Sequence, residues 1–132
     1  MKYREGYKYQ VYEDEEFKTG IYGLNATTDF IDLYANGIMI VRHGYAWDGA
    51  SGPTIDTRNS MRASLLHDAG YQLMREGILR LDYKGYFDDE FYRILRKSGM
   101  SYLRALVWYN AVVRFGKSST LPKNDRPILE AP

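Results

Sequence analysis

An α+β fold, with a small N-terminal antiparallel β-sheet packed on a three-helix segment, is predicted by three observations. Strand-like alternation and turn residues fill the chain before Asp56, a 3.6-residue apolar period begins there, and no alternating pattern returns afterwards. At 132 residues the chain is long enough for one real core and too short for two full ones. The expected organisation is a single α+β domain over residues 1–116 and an extended C-terminal tail over 117–132.

Tyr7, Tyr9 and Val11 alternate with polar neighbours and predict a first strand, and Thr19-Gly20 and Tyr22-Gly23 mark turns. The apolar runs Phe30 to Tyr34 and Ile38 to Arg42 flank Ala35-Asn36-Gly37. Asn-Gly between such runs predicts a hairpin, because both residues accept positive φ. His43, in phase with Met39 and Val41, is expected to be a strand-end surface or packing residue. Met61, Leu65, Ala69 and Leu73 then recur at helical spacing as far as about Glu76, with Gly77 as a stop. A second helix is expected from about Tyr86 to Lys97, burying Phe87, Phe91, Ile94 and Leu95 and ending at Gly99. The third starts at Ser101, a good N-cap, and runs to about Phe115. Only Arg104, Asn110 and Arg114 break its apolar surface, so it is either central to the fold or covers a partner.

Composition excludes several function classes. Eighteen basic and 17 acidic side chains leave a net charge of +1, which gives no electrostatic case for nucleic acid or an acidic membrane surface. No run of about 18 apolar residues provides a transmembrane segment, and Met1-Lys2-Tyr3-Arg4-Glu5 lacks the apolar core of a signal peptide. The absence of cysteine removes disulfides and thiolate metal sites and is compatible with a reducing cytoplasm. The 13 tyrosines fit strands and amphipathic surfaces.

The chemistry-bearing residues centre on His67-Asp68-x-x-Tyr71. A helix places His67 and Tyr71 one above the other, with Asp68 on the adjoining strip. Asp is disfavoured inside a helix, so Asp68 needs Ser64, Tyr71, an arginine or a cation as partner. Asp88 shares helical spacing with Phe91 and Leu95 and so faces inward, whereas Asp89 faces outward and can pair with Arg93. If the first two helices are antiparallel, Asp88 approaches His67. A buried carboxylate beside an imidazole fixes its tautomer and raises the basicity of the other nitrogen, as a general base requires.

Two resemblances bear on these residues. The span from Asp48-Gly49-Ala50-Ser51 through His67-Asp68 and Tyr71 to Phe87-Asp88-x-x-Phe91 and Val113-Arg114-Phe115-Gly116 resembles a small family of tailed-bacteriophage and prophage proteins with no established activity. That resemblance implies a location in the host cytoplasm or the virion, with other phage or host proteins as partners. Locally, His-Asp-x-x-Tyr on a helix, after a Gly-containing loop and before a second helical Asp, is similar to the active site of phospholipase A2, including the short cysteine-free form in parvovirus capsids. The similarity implies that His67 is general base for a water, that Asp68 ligates calcium with loop carbonyls, that Tyr71 supports the site by hydrogen bonding, and that Asp88 orients His67. The family's ligand spacing, carried onto this chain, falls on Trp47, Gly49 and Ser51. The substrate so implied is a phospholipid ester. Departures are that the full glycine pattern of the calcium loop is missing, and that Asp48 and Ser51 offer side-chain oxygens the family does not use.

Two other readings use the same residues. In a non-enzymatic phage protein, a tail or baseplate component or a host-interaction protein, Asp48, His67, Asp68 and Asp88 lock the loop onto the helices. In a metal-dependent hydrolase of cell wall or nucleotides they form a ligand shell, although two histidines and no cysteine leave a zinc site dependent on carboxylates. The order His43, His67-Asp68, Asp88 also mimics HD-domain phosphohydrolases, but His43 belongs to a predicted strand and that fold is helical throughout.

Overall fold

The computed structural model describes residues 3–4, 9–47 and 58–115, and the fold is α+β. The chain divides into two compact units, Met1–Asp48 and Gly49–Pro132. The expected tail over 117–132 lies outside the described residues.

The first unit holds two antiparallel sheets. One joins β1 (Tyr3–Arg4), β2 (Tyr9–Val11) and β7 (Ala46–Trp47), and the other orders β3 (Glu15–Lys18), β6 (Ile38–Val41), β5 (Ile31–Leu33) and β4 (Ala26–Thr27) as β3-β6-β5-β4. Register in the second sheet places Phe17 opposite Met39 and Met39 opposite Leu33, with Val41 opposite Ile31 one pleat on. All five side chains are buried, so one face of the sheet is apolar by its period of two. Asp32 lies on the other face, where Arg42 Nε stands 3.6 Å from its carboxylate.

The predicted hairpin joins β5 to β6 across Ala35-Asn36-Gly37, as expected. Gly37 N–H donates to Tyr34 O and Tyr34 N–H to Ile38 O, both at 2.9 Å, which closes a three-residue loop with Gly37 at φ 91°. A Cβ on Gly37 would stand 2.6 Å from Thr19 O, so glycine is needed there for space as well as for conformation. His43 falls just past β6 with its side chain 76% exposed, and Asp14 accepts hydrogen bonds from its backbone N–H at 2.8 Å and its ring Nδ1 at 3.1 Å.

The second unit contains α1 (Arg58–Arg75), a 3₁₀ turn (Leu81–Tyr83), α2 (Lys84–Lys97) and α3 (Tyr102–Phe115). The first two helices stop in the same way. Gly77 and Gly99 take φ of 76° and 102°, Ile78 N–H returns to Leu73 O, and Met100 N–H returns to Leu95 O. Ser101 caps α3, its Oγ accepting from Arg104 N–H at 3.3 Å. The second helix starts two residues before the expected Tyr86, because the 3₁₀ turn feeds it directly. Its buried face is the predicted one, Phe87, Phe91, Ile94 and Leu95, with Asp88 among them. α1 packs on α2 and α2 on α3.

Gly70 sets the approach of α1 to α2. A Cβ there would lie 2.5 Å from two ring carbons of Phe87, which is fully buried. Only a bare backbone lets the Phe87 ring lie this close to α1.

Candidate functional site

The helical repeat stacks His67 and Tyr71 on one side of α1, with ring centroids 4.1 Å apart, and α2 carries Asp88 to them. His67 Nε2 lies 2.6 Å from Asp88 Oδ1. The Tyr71 hydroxyl donates to the same oxygen at 2.6 Å. Lys84, one turn before Asp88, donates to Oδ2 at 2.6 Å, and its ammonium also reaches Val113 O in α3 at 3.4 Å. Asp88 thus receives an imidazole, a phenol and an ammonium while only 2% exposed. Phe91 closes the apolar side, its ring 5.2 Å from that of His67.

The electrostatics follow from these contacts. Burial works against the Asp88 carboxylate, but hydrogen bonds from His67, Lys84 and Tyr71 together outweigh it and hold the group below the ordinary carboxylate value. Asp88 is therefore ionised and acts as an acceptor only, so His67 Nε2 carries a hydrogen. In the neutral ring the lone pair then resides on Nδ1. Burial pushes the Tyr71 phenol far up, and the Asp88 hydrogen bond and charge push it further, so it remains a neutral donor. The His67 side chain keeps 12% of its surface exposed, so the ring is not sealed from the medium.

Of the residues expected at the site, His67, Tyr71 and Asp88 meet directly. Asp68 follows His67 on α1 and is half-buried. Tyr71, one partner considered for it, gives its hydroxyl to Asp88. Trp47 is buried in the first unit, opposite Tyr9 in the β2–β7 pair with ring centroids 5.8 Å apart. Asp48, Gly49 and Ser51 lie outside the described residues. Among the described residues, no three carboxylate, histidine or cysteine side chains gather to hold a metal.

Asp89 is exposed, as expected, but it does not pair with Arg93. Arg93 turns to Glu90 one residue nearer, at 2.6 Å, and Asp89 accepts from the Tyr109 hydroxyl of α3 at 3.0 Å. Sequence reasoning missed Lys84 and Gly70. The signal for Lys84 was its i,i+4 spacing to Asp88. Gly70 could be read only as a helix-interior glycine without an evident reason.

No protein-family model, no curated protein and no solved structure matches the chain.

Proposed function

We propose that the protein is a hydrolase of phospholipid esters in which His67 is the general base, and that it originates from a tailed phage or prophage. The observation carrying this reading is the 2.6 Å contact between His67 Nε2 and the buried Asp88 carboxylate, shared with Tyr71. An Asp that fixes the imidazole tautomer and balances the charge formed on proton uptake is what general-base hydrolysis needs.

In this reading His67 Nδ1 takes a proton from a water whose oxygen bonds to the acyl carbon. The proton then passes to the departing alkoxide as the ester C–O bond breaks, releasing a fatty acid and a lysophospholipid. Asp88 stabilises the transient imidazolium, Tyr71 fixes the carboxylate oxygen that faces the ring, and Lys84 offsets the charge at the other oxygen. Calcium, held through Asp68, would supply a positive charge to polarise the ester carbonyl.

The test is fatty-acid release from phospholipid vesicles with and without chelator, beside calcium-dependent thermal stabilisation. His67→Ala should keep calcium stabilisation while losing about a hundredfold or more of turnover, the usual scale for a missing base. Asp68→Asn should lose calcium stabilisation and turnover together. Folded wild-type protein that neither responds to calcium nor releases fatty acid would overturn the proposal.

One observation favours a second reading. Lys84 extends the hydrogen-bonded cluster at Asp88 to all three helices, α1, α2 and α3, which is also how three helices are locked in a non-enzymatic tail, baseplate or host-interaction protein. In that case His67→Ala would lower stability, and no hydrolysis would exist to lose.

A further inference from the structure

α2 and α3 meet at one margin through two tyrosines. Tyr92 of α2 and Tyr109 of α3 stand with ring centroids 5.8 Å apart and planes at 76°, so the two half-buried rings form the walls of a corner. Asp89, one turn before Tyr92 on α2, accepts the Tyr109 hydroxyl at 3.0 Å through Oδ1. That bond fixes the exposed carboxylate beside the rings and leaves its Oδ2 to be met from outside.

The chain brings no cation of its own to this corner. Asp14, Asp32, Asp82 and Asp88 each face a histidine, arginine or lysine. Arg93, at i+4 from Asp89, instead gives three hydrogen bonds to Glu90, and Arg96, at i+4 from Tyr92, gives Nη1 to Met100 O at 3.0 Å. Among the described residues no lysine or arginine pairs with Asp89 or lies over either ring.

Two aromatic faces beside a carboxylate attract a cation, since each ring presents the negative side of its quadrupole and the carboxylate adds a full charge. The acceptors select its kind. Asp89 Oδ2 and the lone pairs of the Tyr109 oxygen call for N–H donors, which a quaternary ammonium lacks. A guanidinium lies flat on a ring while donating in its plane to a carboxylate, whereas an ammonium is a compact, strongly hydrated charge. Two walls enclose too little of a free small molecule to hold it tightly, so further contacts around the guanidinium must add the affinity.

We propose that Asp89, Tyr92 and Tyr109 form a receptor for an arginine side chain of a partner protein. None of the three makes a hydrogen bond or ring contact with His67, so the receptor stands or falls separately from the hydrolase reading.

The experiment follows the tyrosine ring resonances of the full chain during titration with N-acetyl-arginine amide and with its citrulline counterpart, which has the same shape and no charge. The Tyr92 and Tyr109 signals should move with the arginine probe and saturate at a Kd on the order of 1 mM, as a two-walled site allows. The citrulline probe should bind about fivefold more weakly or worse. Asp89→Asn keeps an acceptor for the Tyr109 hydroxyl, and Tyr92→Leu keeps apolar bulk without a π face. Each should weaken the arginine probe about three- to fivefold at an unchanged circular dichroism spectrum. The peptide Gly-Ser-Arg-Ser-Gly should bind at least as tightly as the amide.

Ring signals that ignore the arginine probe, or that answer citrulline equally, overturn the receptor. N-acetyl-lysine amide or tetramethylammonium binding as tightly as arginine overturns the guanidinium assignment. Free arginine that binds where the peptide does not makes the occupant a small molecule and overturns the partner. Sedimentation as a dimer that Asp89→Asn dissociates places the arginine on a second copy of this chain and likewise overturns it.

Discussion

Gly70→Ala tests whether the closeness of α1 and α2 is what brings His67 to Asp88. Two effects of the added methyl oppose each other. In a helix interior, alanine is favoured over glycine by about 0.8–1.0 kcal/mol. Against this, the new Cβ would meet Phe87 ring carbons at 2.5 Å, where ordinary contact begins near 3.4 Å, so the ring or the helix must retreat by nearly an ångström. Phe87 is fully buried and cannot swing into solvent, and overpacking of this kind costs roughly 1–3 kcal/mol. The net expectation is a loss of about 1 kcal/mol, read as a lower urea midpoint at unchanged slope. The same retreat acts on the 2.6 Å bond between His67 and Asp88, since an N–H···O bond is spent beyond about 3.2 Å. The Nε2–H proton resonance of His67 should therefore lose its protection from exchange, and any hydrolytic turnover should fall with it. A variant stabilised by the full helix-propensity gain, with that resonance unchanged, would refute the close approach as the device that sets the pair.

Lys84→Met keeps the length of the side chain and removes its charge, leaving the Asp88 carboxylate buried with two remaining donors. A loss of about 2–4 kcal/mol is expected at neutral pH, slightly below the usual cost of breaking a buried pair because Lys84 is 19% exposed. Asp88 is held below its ordinary value of 3.8, so the folded state binds this proton less readily than the unfolded chain. The resulting stability is present above about pH 4 and is lost as pH falls through the lowered folded value. Melting temperature followed downward from neutral pH should show this acid limb in wild-type protein, and Asp88→Asn should flatten it; an identical limb in both would assign it to other carboxylates. His67→Gln retains an N–H that can reach Asp88 but offers no basic nitrogen, so it should melt within about 1 kcal/mol of wild type, the worth of one hydrogen bond. Turnover should nonetheless fall about a hundredfold or more, and a variant that hydrolyses at the wild-type rate would exclude His67 as base.

Much of the helical part was legible because its signals are local. Apolar spacing at Met61, Leu65, Ala69 and Leu73 and glycine stops at 77 and 99 need no tertiary information, and α1, α2 and α3 end within about two residues of where those signals place them. The opposite facing of Asp88 and Asp89 was legible for the same reason, since adjacent residues on a helix lie about 100° apart. The start of α2 was less so. Gly85 argues against helix, and reading α2 from Tyr86 placed Lys84 outside it and hid its contact with Asp88. The hairpin loop over 35–37 was legible because Asn-Gly between two apolar runs is a local signal, and the hydrogen bonds of the flanking strands close it there. Gly70 was illegible in principle: its role depends on Phe87, 17 residues away, and on how closely two helices meet.

Charge balance at Asp88 shows where the two readings of the site part. A carboxylate only 2% exposed needs compensation, and Lys84 supplies a full positive charge at Oδ2 while Tyr71 supplies a neutral donor at Oδ1. His67 is a third donor, and with the other two it holds the buried anion ionised between α2, α1 and α3. An imidazole is a poor choice for packing against Phe91 when an aliphatic side chain would leave no polar nitrogen to satisfy. What the imidazole alone adds is a second nitrogen, Nδ1, which carries a lone pair when Nε2 donates to Asp88. Lys84 therefore belongs to both readings, and His67 is the residue that separates them.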